Sequence, residues 1–243
     1  MSLGKPELWI NIYGFKQVAG WAGFPLDHLT DEQIRNNDRF EAVKISDVTC
    51  FRALGFSEAS SMDISDYEGA DFAFDLNNTV PEEFHERFDV IFDGGTLEHI
   101  FDVPSIFRNI CLMLKINGRV VHESPSNGWM DHGFYNIQPT LYYDFYKING
   151  FDINRLCIAK NSTDQWAHLR DVYEHIDYTP GMYDFKFISD SKIQNVFLVA
   201  TKKEKILDIR KPQQSLWGRI TDNHAQQNKN NREVKMWKPS YMG

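Results

Sequence analysis

The segment from Phe88 to His122 constrains the fold more than any other part of the chain, reading FDVIFDGGTLEHI and then FDVPSIFRNICLMLKINGRVVH. An apolar run, Val90-Ile91-Phe92, stops at Asp93-Gly94-Gly95, and a Leu97-Glu98-His99-Ile100 turn follows. Apolar residues then recur at helical spacing until Lys115 to Gly118, where a turn precedes a second apolar run ending at His122. The pattern is strand, helix, strand. Repeated along the chain, it predicts a parallel sheet with helices on both faces.

The remaining elements follow the same alternation. Leu8 to Ile12 (LWINI) reads as a buried first strand bounded by Gly14, and Thr30-Asp31-Glu32-Gln33 as a helix start. Ala59 to Ile64 is a second strand ending in Asp63, and Ala70 to Leu76 a third ending in Asp75. Pro81 to Glu86 reads as a short polar helix, Phe88 to Phe92 as strand four and Gly118 to His122 as strand five. Leu141 to Asn149 is an aromatic helix closed by Gly150, which suits the left-handed position after a helix. Asp152 to Ile158 is strand six, and Asn195 to Ala200 a last strand reached mainly through loop. These spans define an α/β domain over 1–205 with an insertion near 160–191, then a C-terminal extension over 206–243. The opening Met1-Ser2-Leu3 is compatible with a vector-derived scar.

Composition narrows the class. At 243 residues and 42% apolar, the chain is long enough for a continuous core. No apolar run approaches the ~20 residues that cross a bilayer, and no basic-then-apolar leader opens the chain. Cys50, Cys111 and Cys157 lack metal-ligand or disulfide spacing and read as buried reduced thiols of a cytoplasmic protein. From Thr201 onward ten Lys/Arg face four Asp/Glu, while the rest of the chain carries sixteen against thirty. An acidic body disfavours nucleic acid as a partner. The basic extension is a candidate for subunit packing, so a homo-oligomer formed through it is one expectation.

The DGG, LEH and Lys115-to-Gly118 features together resemble the fourth and fifth strands of class I S-adenosylmethionine-dependent methyltransferases. That resemblance implies a Rossmann-like class I methyltransferase fold, a mostly parallel seven-stranded sheet with an antiparallel last strand. It implies S-adenosylmethionine as cofactor, held by the loops at the carboxyl ends of successive strands. Carried onto this chain, the family's glycine-rich loop falls at Gly14 and Phe15, with one glycine where the family shows two or three. The ribose-binding acid falls at Asp63, beside Ile64. The adenine contacts fall at Asp75 and Leu76, and the groups beside the sulfonium at Asp93 and Gly94. No GxGxxG occurs, which ranks a dinucleotide-binding domain lower.

On the substrate side, SPSNGWMDHGFY follows strand five. Together with SDYEGAD and DGGTLEH, it resembles bacterial methyltransferase-like proteins associated with surface-polysaccharide or secondary pathways. Methyl transfer from a sulfonium to a hydroxyl needs an aligned nucleophile and removal of its proton. His132 is the first choice of base, because its ordinary pKa of ~6.5 lets it accept a proton near neutrality. Asp131 is placed to orient it and Tyr135 to bond the acceptor, a small molecule such as a sugar or phosphorylated metabolite. A structural turn at Asp131-His132-Gly133 is the competing reading. His99 reads as structural or as a pocket wall, and His122 as a packed residue. No metal-ligand spacing is recognisable, so no metal is expected. A cofactor-free relative acting as a binding or scaffold subunit is the alternative to the enzyme, suggested by the single-glycine loop.

Overall fold

The computed structural model describes residues 1–4, 51, 54–160, 174–182 and 193–215. Its strands are β1 (Ser2–Leu3), β2 (Ser61–Asp63), β3 (Phe72–Ala73), β4 (Phe88–Gly94), β5 (Leu114–Asn127), β6 (Phe151–Lys160), β7 (Glu174–Asp177) and β8 (Gln194–Lys202). They form one sheet in the order β3-β2-β1-β4-β5-β8-β6-β7. The pairs from β3 through β5 are parallel, whereas β8 runs antiparallel to both β5 and β6. The fold is therefore Rossmann-like α/β, mostly parallel, with an antiparallel C-terminal strand inserted beside β5.

Three differences from the sequence reading have physical causes. The expected first strand, Leu8 to Ile12, lies outside the described residues. The place between β2 and β4 is instead taken by Ser2–Leu3, which pairs with Ser61 and Met62 on one side and Phe92 and Asp93 on the other. The opening residues thus form an interior strand of the sheet, between β2 and β4. Among the described residues the sheet has eight strands where seven are expected, because Glu174–Asp177 of the insertion pairs antiparallel with β6 and adds an edge. Strand β5 is also longer than predicted, and passes through Pro125. Pairing with β4 ends at Glu123, so the prolyl nitrogen of Pro125 lies beyond the β4 ladder, while β8 continues alongside on the other edge.

Among the described residues two α-helices pack on this sheet. Helix α1 (Val103–Met113) buries Ile106, Phe107, Ile110 and Met113, a spacing that lays one face on the core. Its buried Asn109 accepts from Val80 N (3.0 Å) and donates to Leu76 O (3.1 Å) and Asn78 O (2.8 Å), which ties the loop after β3 to the helix. Strand β8 alternates buried and half-buried residues and ends at Lys202. The ammonium of Lys202 donates to Cys111 O (2.8 Å) and Leu114 O (2.7 Å), satisfying carbonyls at the negative end of α1. Helix α2 (Pro139–Ile148) buries Tyr142, Phe145 and Tyr146, so these aromatics are core. Cys111 and Cys157 are free and buried, as expected; Cys50 lies outside the described residues.

Just beyond the boundary expected at residue 205, residues 206–215 make contacts with the domain. Ile206 is buried in the core cluster, Arg210 N donates to Asn149 Oδ1 (2.7 Å), and Ser215 N donates to Asp144 Oδ2 (2.9 Å). The described part of the extension therefore packs on α2. Among the described residues no helix is long and apolar enough to cross a membrane.

Candidate functional site

Strand order reverses at β1, because β2 and β3 extend to one side and β4 and β5 to the other. The crevice at the carboxyl ends of strands about such a point is where open α/β sheets seat ligands. Gly4 follows β1 at this edge; Gly14 and Phe15, where the sequence reading places the glycine-rich loop, lie outside the described residues. Gly4 has φ +69°, and a Cβ on it would lie 2.4 Å from Thr96 Oγ1 and 3.7 Å from Asp63 Oδ2. Only glycine suits both the left-handed backbone and that approach. The Thr96 hydroxyl donates to Leu3 O (2.7 Å), locking the β4 loop against the end of β1. The ends of β1, β2 and β4 thus meet at Gly4, Asp63 and Thr96.

The three strand-end acids are not equivalent. The carboxylate of Asp63 makes no hydrogen bond or ion pair among the described residues, and Ile64 beside it is 70% exposed. Asp75 folds back on its own turn, accepting from Asn77 N (2.9 Å) and Asn77 Nδ2 (2.8 Å). Those bonds hold its carboxyl below the usual range. Leu76 is buried in the core. Asp93 differs most from expectation. It is fully buried, its Oδ1 accepts from Thr96 N (3.0 Å) and Leu97 N (3.2 Å), and its Oδ2 faces His122 Nδ1 at 2.6 Å. The carboxylate shapes the Gly94-Gly95-Thr96 turn from below instead of lining the crevice.

His122 is packed, as expected, and part of a network the sequence does not reveal. Its Nε2 meets the Tyr146 hydroxyl at 2.6 Å, and its ring stacks on Tyr142, whose hydroxyl bonds Ser124 Oγ at 2.7 Å. With Asp93 as acceptor, Nδ1 carries the proton and Nε2 accepts from Tyr146. Burial pushes both tyrosine hydroxyls well above their ordinary range, which keeps them neutral.

Above this layer the LEH turn and the loop after β5 come together. Glu98 O accepts from Phe134 N (2.9 Å) and Tyr135 N (3.3 Å), and a Cβ at Gly133 would lie 3.0 Å from that same oxygen. This clamp brings His132 Nε2 to 3.5 Å from Glu98 Oε1, with His99 Nε2 at 3.9 Å from the same oxygen. The Glu98 side chain is fully buried, yet neither of its oxygens has a hydrogen-bond partner. Burial pushes its carboxyl up to about 8, and the Asp93 and Glu123 carboxylates push in the same direction. His99 is held below its ordinary value by burial and by His132. Trp129 packs on His132, its ring centroid 4.8 Å away, and is fixed by a 2.7 Å bond to Asn195 Oδ1.

The neighbour of His132 is therefore Glu98 and not Asp131. Asp131 is exposed, has φ +62°, and makes no hydrogen bond or ion pair among the described residues. The Tyr135 hydroxyl already donates to Phe101 O (2.9 Å), so its proton is not free for an acceptor. Glu98 and His99 are the residues the sequence reading underused. Their signal was the LEH turn itself, a buried acid next to an exposed histidine at a strand end.

An open, mostly parallel sheet with polar groups gathered at its switch point is an architecture for binding small ligands at the carboxyl edge. No protein-family model and no curated protein matches this chain. Among solved structures it is similar to a SAM-dependent methyltransferase of Thermotoga maritima, at 11% identity and TM-score 0.40, over 59% of this chain and 72% of that one. It is also similar to an S-adenosylmethionine-dependent methyltransferase of Mesorhizobium loti, at 16% identity and TM-score 0.36, over 63% of this chain and 85% of that one. A third is the CMeT domain of the citrinin polyketide synthase, at 13% identity and TM-score 0.39, where 65% of this chain spans 42% of that one.

Proposed function

We propose that the chain is a cytoplasmic methyltransferase of the class I kind, moving the methyl group of S-adenosylmethionine to an oxygen of a small molecule such as a sugar or phosphorylated metabolite. The observation that carries the reading is the meeting of Gly4, Asp63 and Thr96 at the switch point. It supplies a backbone that a ligand can approach closely, and beside it a carboxylate with no donor among the described residues. A carboxylate that free suits two adjacent ribose hydroxyls. Gly4 supports the cofactor-binding reading over a cofactor-free scaffold, because it offers a close backbone approach at the switch point.

When bound, the cofactor supplies an electrophilic methyl on a sulfonium. Asp63 would hold the ribose hydroxyls, and Asp75, braced by Asn77, with Leu76 next to it in sequence, would form the adenine side of the site. Asp93 acts indirectly, by holding the Gly94-Gly95-Thr96 turn in shape. His132 is placed to take the proton of the acceptor hydroxyl whose oxygen would receive the methyl group. Glu98, whose carbonyl clamps the loop that carries His132, fixes where that base sits.

Incorporation of labelled methyl from S-adenosylmethionine into a panel of hydroxylated sugars and sugar phosphates tests this reading. Transfer by the wild type that His132→Ala lowers by roughly 10²–10⁴ supports it. Transfer to nitrogen acceptors alone would overturn the oxygen specificity.

A further inference from the structure

We propose that Glu98, His99 and His132 form a binding site for one first-row divalent cation, of the class to which Zn²⁺ belongs. One ligand atom from each residue lies within 4.8 Å of the others. The two pairs that include Glu98 Oε1 are 3.5 Å for His132 Nε2 and 3.9 Å for His99 Nε2. Metal bonds of about 2.1 Å in a tetrahedral arrangement place ligands about 3.4 Å apart, so closure needs only small side-chain shifts.

A second observation points the same way. Glu98 is fully buried with both carboxylate oxygens unpartnered, a costly arrangement that an ion would resolve. Oε1 lies within 4 Å of a ring nitrogen of both histidines. These are 46% and 40% exposed, which leaves the outer side open for entry and for further ligands. Two imidazoles and one carboxylate favour zinc, iron, cobalt or nickel over magnesium or calcium, which prefer all-oxygen sites. Gly133 and the backbone bonds from Phe134 and Tyr135 to Glu98 O hold the two halves of the site together across 34 residues of sequence. Trp129 packs on His132, giving that ring a fixed orientation.

The role of the ion rests on the methyltransferase reading above; its binding does not. In that role the open positions take the acceptor oxygen, and the ion lowers the pKa of the hydroxyl. Without the ion His132 serves as the base, as above; with the ion bound it serves as a ligand, and the acceptor's proton leaves to solvent.

The test is Zn²⁺ titrated into the chelator-treated full chain without cofactor, with bound metal counted per chain. The expected result is one ion that is lost, or bound at least about tenfold more weakly, in His99→Ala and His132→Ala, and retained in His85→Ala. Glu98→Gln should match the two histidine variants. Its burial puts folding at risk, so exposed His99 is the deciding position. Absence of zinc binding, equal binding by wild type and His99→Ala, or tighter binding of Mg²⁺ than of Zn²⁺ would overturn the proposal. S-adenosylmethionine titrated separately into the metal-free protein reports on the methyltransferase reading alone. Cofactor binding without zinc binding would therefore sink the ion and spare the enzyme.

Discussion

His122 Nδ1 and Asp93 Oδ2 lie 2.6 Å apart, both side chains wholly buried, joining β5 to the end of β4 directly beneath the crevice. Through the other oxygen of Asp93 the pair sets the turn that carries Gly95, Thr96 and Leu97. Removing one partner leaves the other without its bond in a dry environment. His122→Leu should therefore lower unfolding free energy by about 3–5 kcal/mol. Urea denaturation measures this, and a loss within about 0.5 kcal/mol, the range of a neutral surface change, would show that the network is not holding the turn.

The raised carboxyl of Glu98 makes stability depend on pH. Its folded value is about 8 against an ordinary 4.5, so the folded chain holds the proton more tightly than the unfolded one. The stabilisation is fully present below about 4.5 and is lost as pH rises through about 8. Glu123, also raised by burial, acts in the same direction. In a chelating buffer, Tm should fall between about pH 5 and pH 8, by the equivalent of a few kcal/mol at most. Glu98→Gln should flatten that fall. A Tm that climbs over the interval in wild type would contradict the placement of Glu98.

Asp63 is the strand-end acid left free for a ligand. Asp63→Ala should weaken S-adenosylhomocysteine binding by about 1.5–3 kcal/mol per charged hydrogen bond lost, with little effect on stability. Asp93→Ala should do the reverse, costing stability first. Equal affinity in wild type and Asp63→Ala would remove the residue from the site.

Truncation after Lys205 should destabilise the domain and not merely trim it. Ile206 is buried, and Asn149 exchanges bonds with Arg210 at 2.7 Å and 3.0 Å. Losing that burial and exposing those groups should cost at least about 2 kcal/mol by thermal or urea unfolding. An unchanged midpoint would return residues 206–215 to the status of a loose extension.

The β4–α1–β5 unit was readable because apolar periodicity and turn residues agree there from Phe88 to His122. The antiparallel last strand and the acids at strand ends were readable for the same reason. The central strand was not. Ser2–Leu3 is two residues long and is held by backbone bonds from both sides, so it carries no apolar run, whereas LWINI shortly after it does. The glycine that follows β1, Gly4, was overlooked for the same reason. Proline at 125 reads as a breaker, and only the ending of β4 at Gly94 shows why the strand tolerates it. The Glu98–His132 meeting was invisible because a backbone carbonyl makes it, and carbonyls leave no mark in sequence. Asp131 was favoured by adjacency alone, the weakest of guides to which side chains meet.

The central claim is that the crevice at Gly4, Asp63 and Thr96 holds S-adenosylmethionine. Calorimetric titration of the dialysed wild-type chain with S-adenosylmethionine and S-adenosylhomocysteine tests it most directly. The account predicts one site per chain with micromolar affinity, about −8 kcal/mol, weakened in Asp63→Ala. A folded, ligand-free sample that takes up neither compound would contradict it.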